Sequence, residues 1–210
     1  MGNYLIKERL QETQAYPDHL DAEINLIRRD DVKQLVKMAL GRVPEEFWTA
    51  AASSSGKYHP AFAAGTGGLV RHTRAAVWFA KQILELENAP YAYMADYIYA
   101  ALILHDTAKH GILWGETTVH DHPLLVREYI SQDELPVEMW QRWLGINHLI
   151  STHMGQWRTS KYSDVELPQI TEGAQFFVHT CDLLASKKSV SLDFLVPIED
   201  TEGDIERSNA

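Results

Sequence analysis

At 210 residues, with 45% hydrophobic and 23% charged side chains, the chain has ordinary globular composition and the length of one domain. Its formal net charge of -10, from 29 acids against 19 bases, excludes sequence-blind binding to extended duplex nucleic acid or to an anionic membrane, which needs a basic footprint. Small nucleotides and short oligonucleotides stay open. The single cysteine, Cys181, gives no disulfide framework and points to a reducing cytoplasm. The start, Met1 to Lys7, is too short and too soon charged for a signal peptide, and no run approaches 18 apolar residues.

Residues 1 to about 30 are polar, broken by Pro17, and read as an arm with short helices. Asp30 and Asp31 can cap a helix over 32–40 that ends at Gly41. Val43-Pro44-Glu45-Glu46-Phe47-Trp48 starts another, with Pro44 in its first turn. A Ser/Gly-rich loop over 53–57, then His59-Pro60 and the glycines to Gly68, close a helical extension over 1–58 expected to pack on the core.

The spacing predicts a long helix over 68–87 with Leu69, Ala76, Phe79, Ala80 and Ile83 on one face, and His72 on that same face. After Pro90, a helix over 91–105 is apolar on several sides and therefore central. Further helices are expected over 123–131, over 137–154 with Gly155 ending it, and over 169–187 behind Pro168. From Glu199 the tail is acidic, and 189–210 is expected to be partly disordered. No segment alternates with period two, so the class is all-α, with a core of about six or seven helices.

The chemistry gathers at the end of the central helix, where Leu102-Ile103-Leu104 runs into His105-Asp106. An imidazole and a carboxylate at the rim of a core need partners, because burying either alone costs several kcal/mol. His72 and Asp182 also lie on apolar helical faces. A metal ion satisfies all four at once.

These residues resemble the signature of the HD superfamily of metal-dependent phosphohydrolases, H…HD…D on an all-α core. The likeness covers roughly 59–188. Gly67-Gly68-Leu69-Val70-Arg71-His72-Thr73 is similar to the Gly-Gly-Leu-x-x-His-Thr of one HD branch, His105-Asp106-Thr107-Ala108-Lys109 to His-Asp-Ile-Gly-Lys, and His179-x-x-Asp182-x-x-Ala185 to its closing helix. His122-Pro123-Leu124-Leu125 resembles the His-Pro-x-x-Gly of two-metal members. The segment from His148 to Gly155 resembles His-x-x-x-Ser-His-His-Gly, with Met154 replacing one histidine.

The resemblance implies an HD domain over 59–188 and six ligands: His72, His105, Asp106, His122, His153 and Asp182. Two divalent ions would be bridged by Asp106, and a metal-activated hydroxide would attack phosphorus. Four imidazoles with two carboxylates suit Mn, Fe, Co, Ni or Zn better than Mg. His120 competes with His122 from the same loop. Lys109 would stabilise charge on phosphoryl oxygens, and His179 would support the ligands from behind. Arg71, His148, Trp157 and Arg158 are candidates for substrate contact, with Trp157 available to stack on a base; His59 could reach substrate or lie on the surface.

The implied reaction is hydrolysis of a phosphomonoester or phosphodiester of a nucleotide or short oligonucleotide. The closest local similarity is to the HD domain of bacterial 3′-to-5′ exoribonucleases that carry an OB-fold, for which 1–60 offers no strands. HD-type di-iron oxygenases, acting on a diol or phosphonate, have a similar ligand set. A non-catalytic regulatory HD module is a third class. Homo-oligomerisation is left open.

Overall fold

The computed structural model describes residues 14–53 and 59–195. The start of the N-terminal arm, most of the loop over 53–57 and the acidic tail from Glu199 lie outside the described residues. Among those described the fold is all-α, without a strand: α1 (Asp21–Ile24), α2 (Asp30–Leu40), α3 (Gly68–Leu84), α4 (Ala95–Leu104), α5 (His122–Leu125), α6 (Val137–Ile150) and α7 (Gly173–Ala185), linked by 3-10 turns. A lone β-bridge pairs Ser160 with Ser163. None of these helices is long and apolar enough to cross a membrane.

The core forms around α4. Its residues Ile98 to Leu104 are all buried, which a helix apolar on every side requires. It packs against α2, α3, α6 and α7, and α3 packs along α7. Helix α2 buries Val32, Leu35, Val36, Ala39 and Leu40 and turns its lysines outward. Each fully buried Leu or Ile of this kind stabilises the fold by roughly 1.5–3 kcal/mol. The buried face of α3 is broader than its leading stripe, because α4 and α7 both press on it. It takes in Val70, Ala75 and Val77, while Phe79 and Ile83 sit at the margin.

Several elements begin later or end sooner than their periodicity predicts. The segment 45–48 is a 3-10 turn rather than a helix. Tyr91 takes a left-handed conformation (φ 63°), so a 3-10 turn precedes α4 and the α-helix begins only at Ala95. The segment after Pro123 makes one α-turn and then a 3-10 turn over Val126–Tyr129. Helix α7 starts at Gly173, not near Pro168, because the Gln175 side chain accepts the backbone N–H groups of Thr171 and Glu172 and fixes the start there.

Gly68 is required where α3 begins. A Cβ there would lie 2.2 Å from the Ala63 carbonyl oxygen. This close approach holds the turn over Ala61–Ala63 on α3, beside His72.

Candidate metal centre

His72 lies one turn into α3 and is 1% exposed. His105 and Asp106 follow the last residue of α4, where the helix unwinds; they are 0% and 3% exposed. That unwinding is held by side chains. The Thr107 hydroxyl donates to the Leu104 carbonyl (2.7 Å), and the buried Tyr129 hydroxyl donates to the Thr107 carbonyl (3.0 Å). His122 opens α5, His153 lies in the turn after α6, and Asp182 faces His72 from α7.

Asp106 stands between two groups of ligand atoms. Its Oδ2 lies 3.7 Å from His72 Nε2 and 3.6 Å from His105 Nε2. Asp182 Oδ1 completes that group, 3.0 Å from His72 Nε2 and 3.5 Å from His105 Nε2. The other oxygen, Oδ1, lies 3.2 Å from His122 Nε2 and 3.7 Å from His153 Nε2. Two buried His/Asp clusters sharing Asp106 could therefore hold metal ions.

The hydrogen-bonding partners of the rings explain why a cation fits. The Nδ1 atoms of His105, His122 and His153 donate to the carbonyls of Leu102 (2.7 Å), Val119 (2.7 Å) and Ile150 (2.9 Å), each three residues earlier. A carbonyl only accepts, so those protons sit on Nδ1, and in a neutral ring Nε2 is then a bare lone pair. His72 has no Nδ1 partner among the described residues and can keep its proton on Nε2, 3.3 Å from His105 Nε2. His122 and His153, by contrast, bring two bare Nε2 atoms to 3.1 Å. Lone pairs so close repel unless a cation or proton lies between them. Two atoms each about 2.1 Å from one ion, at angles of roughly 90–120°, are about 3.0–3.6 Å apart, close to the 3.0–3.7 Å separations within the two clusters.

The same contacts set the protonation of the site. Burial alone would raise the Asp106 carboxyl, but Lys109, His105 and His122 hold it well below the usual carboxylate range. Asp182 is pushed up by burial and held down more strongly by hydrogen bonds from His105 and His72. Burial also opposes charge on His105, but Asp106 and Asp182 outweigh it and raise its pKa. His153 is lowered to about 3, by burial first and then by His105 and His122.

Support comes from behind. His179 Nδ1 lies 2.6 Å from the His153 carbonyl oxygen and donates to it. Gly155, in the left-handed region (φ 58°), makes room, because a Cβ there would lie 2.2 Å from the His179 ring.

The clusters open into a cleft of about 680 Å³. Lys109 lines it with its Nζ 2.6 Å from Asp106 Oδ2, and Lys187 and Lys188 stand at the end of α7. Trp157, 49% exposed, forms part of the wall. Other residues singled out in the sequence lie elsewhere. Arg71 donates to the carbonyls of Phe62 (2.5 Å) and Ala64 (2.7 Å) and clamps the turn before α3. Arg158 donates to the Leu167 carbonyl (3.0 Å) and pairs with Glu166. His148 meets Glu172 and Gln175, both at 3.2 Å, on the far side of α6. His120 Nε2 sits 3.0 Å from the Arg158 carbonyl oxygen, whereas His122 faces Asp106.

The structure gives His59 a place that sequence leaves open. Its ring packs edge-on to His72 (centroids 5.3 Å apart) and lines the cleft, with a buried Nδ1 that has no partner among the described residues. Burial, then His72, lower its pKa to about 4. Lys187 and Lys188 carried no signal beyond their position, five and six residues after Asp182. The chain matches no family model, no curated protein and no solved structure.

Proposed function

We propose that this chain is a metal-dependent phosphohydrolase of the HD type, acting on a phosphate ester of nucleotide size. The observation that carries the reading is a double His/Asp cluster at the floor of a cleft whose other charged side chains are Lys109, Lys187 and Lys188. In a chain of net charge -10, a cleft with three lysines favours an anionic ligand. A volume of about 680 Å³ suits one nucleotide or a short oligonucleotide.

Two divalent transition-metal ions would be held by His72, His105 and Asp182 on one side of Asp106 and by His122 and His153 on the other. Such ions supply Lewis acidity and lower the pKa of water towards neutrality. The chain's own residues do the rest. Asp106 spans both clusters with one oxygen turned to each. Lys109 balances the Asp106 charge and presents an ammonium group to phosphoryl oxygens. Trp157 offers a ring face to a base. The buried histidines and the apolar wall at Met154 and Leu183 limit water at the reacting atoms.

The di-iron oxygenase reading uses the same ligands; the lysines disfavour a neutral diol, and oxygen dependence separates a phosphonate oxygenase from the hydrolase. Both clusters are complete, which disfavours a non-catalytic module. The test is turnover of a nucleotide and phosphodiester panel by Mn-loaded protein, with and without oxygen. Release of product in both conditions is expected; turnover only with oxygen would replace the hydrolase reading by the oxygenase one.

A further inference from the structure

The 3-10 turn over Val126–Tyr129 carries no candidate ligand, yet it follows directly on α5, the four-residue helix that begins with His122. Three side-chain bonds pin it in place. From α6, the Trp143 Nε1–H donates to the Arg127 carbonyl (3.1 Å). From just after α2, the Arg42 guanidinium donates to the Tyr129 carbonyl (2.5 Å). From the turn itself, the fully buried Tyr129 reaches the end of α4, where its hydroxyl donates to the Thr107 carbonyl (3.0 Å). Thr107 follows Asp106, whose Oδ1 lies 3.2 Å from His122 Nε2. One hydroxyl therefore ties the stretch that carries His122 to the stretch that carries Asp106.

Arg42 is 7% exposed, and a buried guanidinium is tolerated only with a good partner. Glu134 supplies it, accepting from Nη1 at Oε1 (3.0 Å) and pairing with Nη2 at Oε2. Glu134 is fixed in turn by the Ser131 N–H (2.8 Å). Neither Arg42 nor Glu134 lines the cleft, so their bonds serve the turn and not a bound group. We infer that Tyr129 is a positioning residue of the metal centre, setting His122 against Asp106 through its hydroxyl. Arg42 extends that hold to α2, so the helical extension over 1–58 takes part in building the second cluster. The inference rests on the metal-centre reading of the two clusters and is independent of the reaction they run.

The test is calorimetric titration of the full chain with Mn²⁺, with His122→Ala marking which binding step belongs to the second cluster. Tyr129→Phe keeps the buried ring and removes the hydroxyl. It is expected to weaken the second-cluster step about 10–100-fold, the usual effect of losing a group that supports a metal ligand, and the other step by less. Added to His122→Ala, it should change the remaining step by no more than about threefold, because the two changes act on one cluster. Arg42→Met should weaken the same step, and Arg42→Lys, which keeps a donor for the Tyr129 carbonyl, should restore part of it. Ile24→Val, a loss of buried volume in α1, controls for general destabilisation and should leave both steps unchanged. Full second-step affinity in Tyr129→Phe, equal losses at both steps, or the same loss in Ile24→Val overturns the inference. Should Tyr129→Phe fail to fold, the Arg42 pair decides, and wild-type affinity in Arg42→Met overturns it. Wild-type protein that takes up no Mn²⁺ overturns the metal-centre reading and the inference with it.

Discussion

The two clusters around Asp106 use the same side chains but are built differently. His72, His105 and Asp182 come from α3, the end of α4 and α7, three long helices locked together in the core. His122 and His153 come from a four-residue helix and a turn, and are aimed by Nδ1 bonds to carbonyls three residues back. His105 is aimed by the same kind of bond, to Leu102, so the difference is that the first cluster rests on long packed helices and the second on irregular chain held by hydrogen bonds. They differ in charge as well. Two carboxylates face the His72 and His105 imidazoles, but among the described residues only the Asp106 carboxylate pairs with His122 and His153. Side chains held by dense packing move little, whereas a turn can shift at small cost, so the second cluster is the one that single changes should disable alone.

Removing the residue they share should have the largest effect. Asp106→Ala is predicted to abolish both metal content and hydrolysis, at least about 10³-fold in kcat/KM, with the far-ultraviolet helical spectrum retained. A protein that still bound two metals would show that the clusters are independent of Asp106. Next come single ligands from each side. His105→Ala should remove activity and the metal of the packed cluster, and lower stability, because it empties a fully buried site. His122→Ala should bring the metal count from two towards one with a smaller loss of melting temperature, because its ring, though as buried as His105, sits in a four-residue helix rather than at the end of a packed one. Equal thermal losses in the two variants would erase the distinction between packing and hydrogen bonding.

Gly155→Ala probes the hydrogen-bonded cluster from outside it. The new methyl would drive the His179 ring off the His153 carbonyl, and affinity at that cluster should fall about 10–100-fold. Affinity at the other cluster should hold, as read by competition with a chelator.

The smallest effect is a pH dependence of opposite sign in the metal-free protein. The folded pKa of His105 is raised above 6.5, so its contribution to stability is present below about pH 6.5 and is lost as pH rises through the raised value. That of His153 is lowered to about 3, so its contribution is present above about pH 6.5 and is lost as pH falls towards 3. Metal binding at the packed cluster should therefore release more protons near neutrality than binding at the other, measurable as a buffer-dependent heat that His105→Ala reduces and His122→Ala does not.

The same contrast explains what the sequence disclosed. His72, His105 and Asp182 interrupt apolar helical faces, so periodicity alone marks them as buried groups seeking a partner. His122 and His153 have no periodic frame. They were legible only through resemblance to short motifs, and His120 competed with His122 until the turn after Val119 aimed one ring inward. Trp157, four residues after His153, lines the cleft. Arg71 and Arg158 are candidates for substrate contact in sequence, and each donates to backbone carbonyls that only the folded loops bring near. His59 was undecidable for a related reason. Its place depends on Gly68 letting the turn over Ala61–Ala63 approach α3, a contact that no pattern in the chain displays. The all-α class was plain throughout, whereas helix ends were displaced by Tyr91 and by the cap at Glu172, local details that periodicity does not carry.

The central claim is that two metal clusters share one carboxylate. The most direct measurement is metal stoichiometry by mass spectrometry of Mn-loaded wild-type, His122→Ala and Asp106→Ala proteins after gel filtration. The predicted result is two ions per chain, one and none, in that order. Wild-type protein that holds no metal, or an Asp106→Ala protein that holds as much as the wild type, would contradict it.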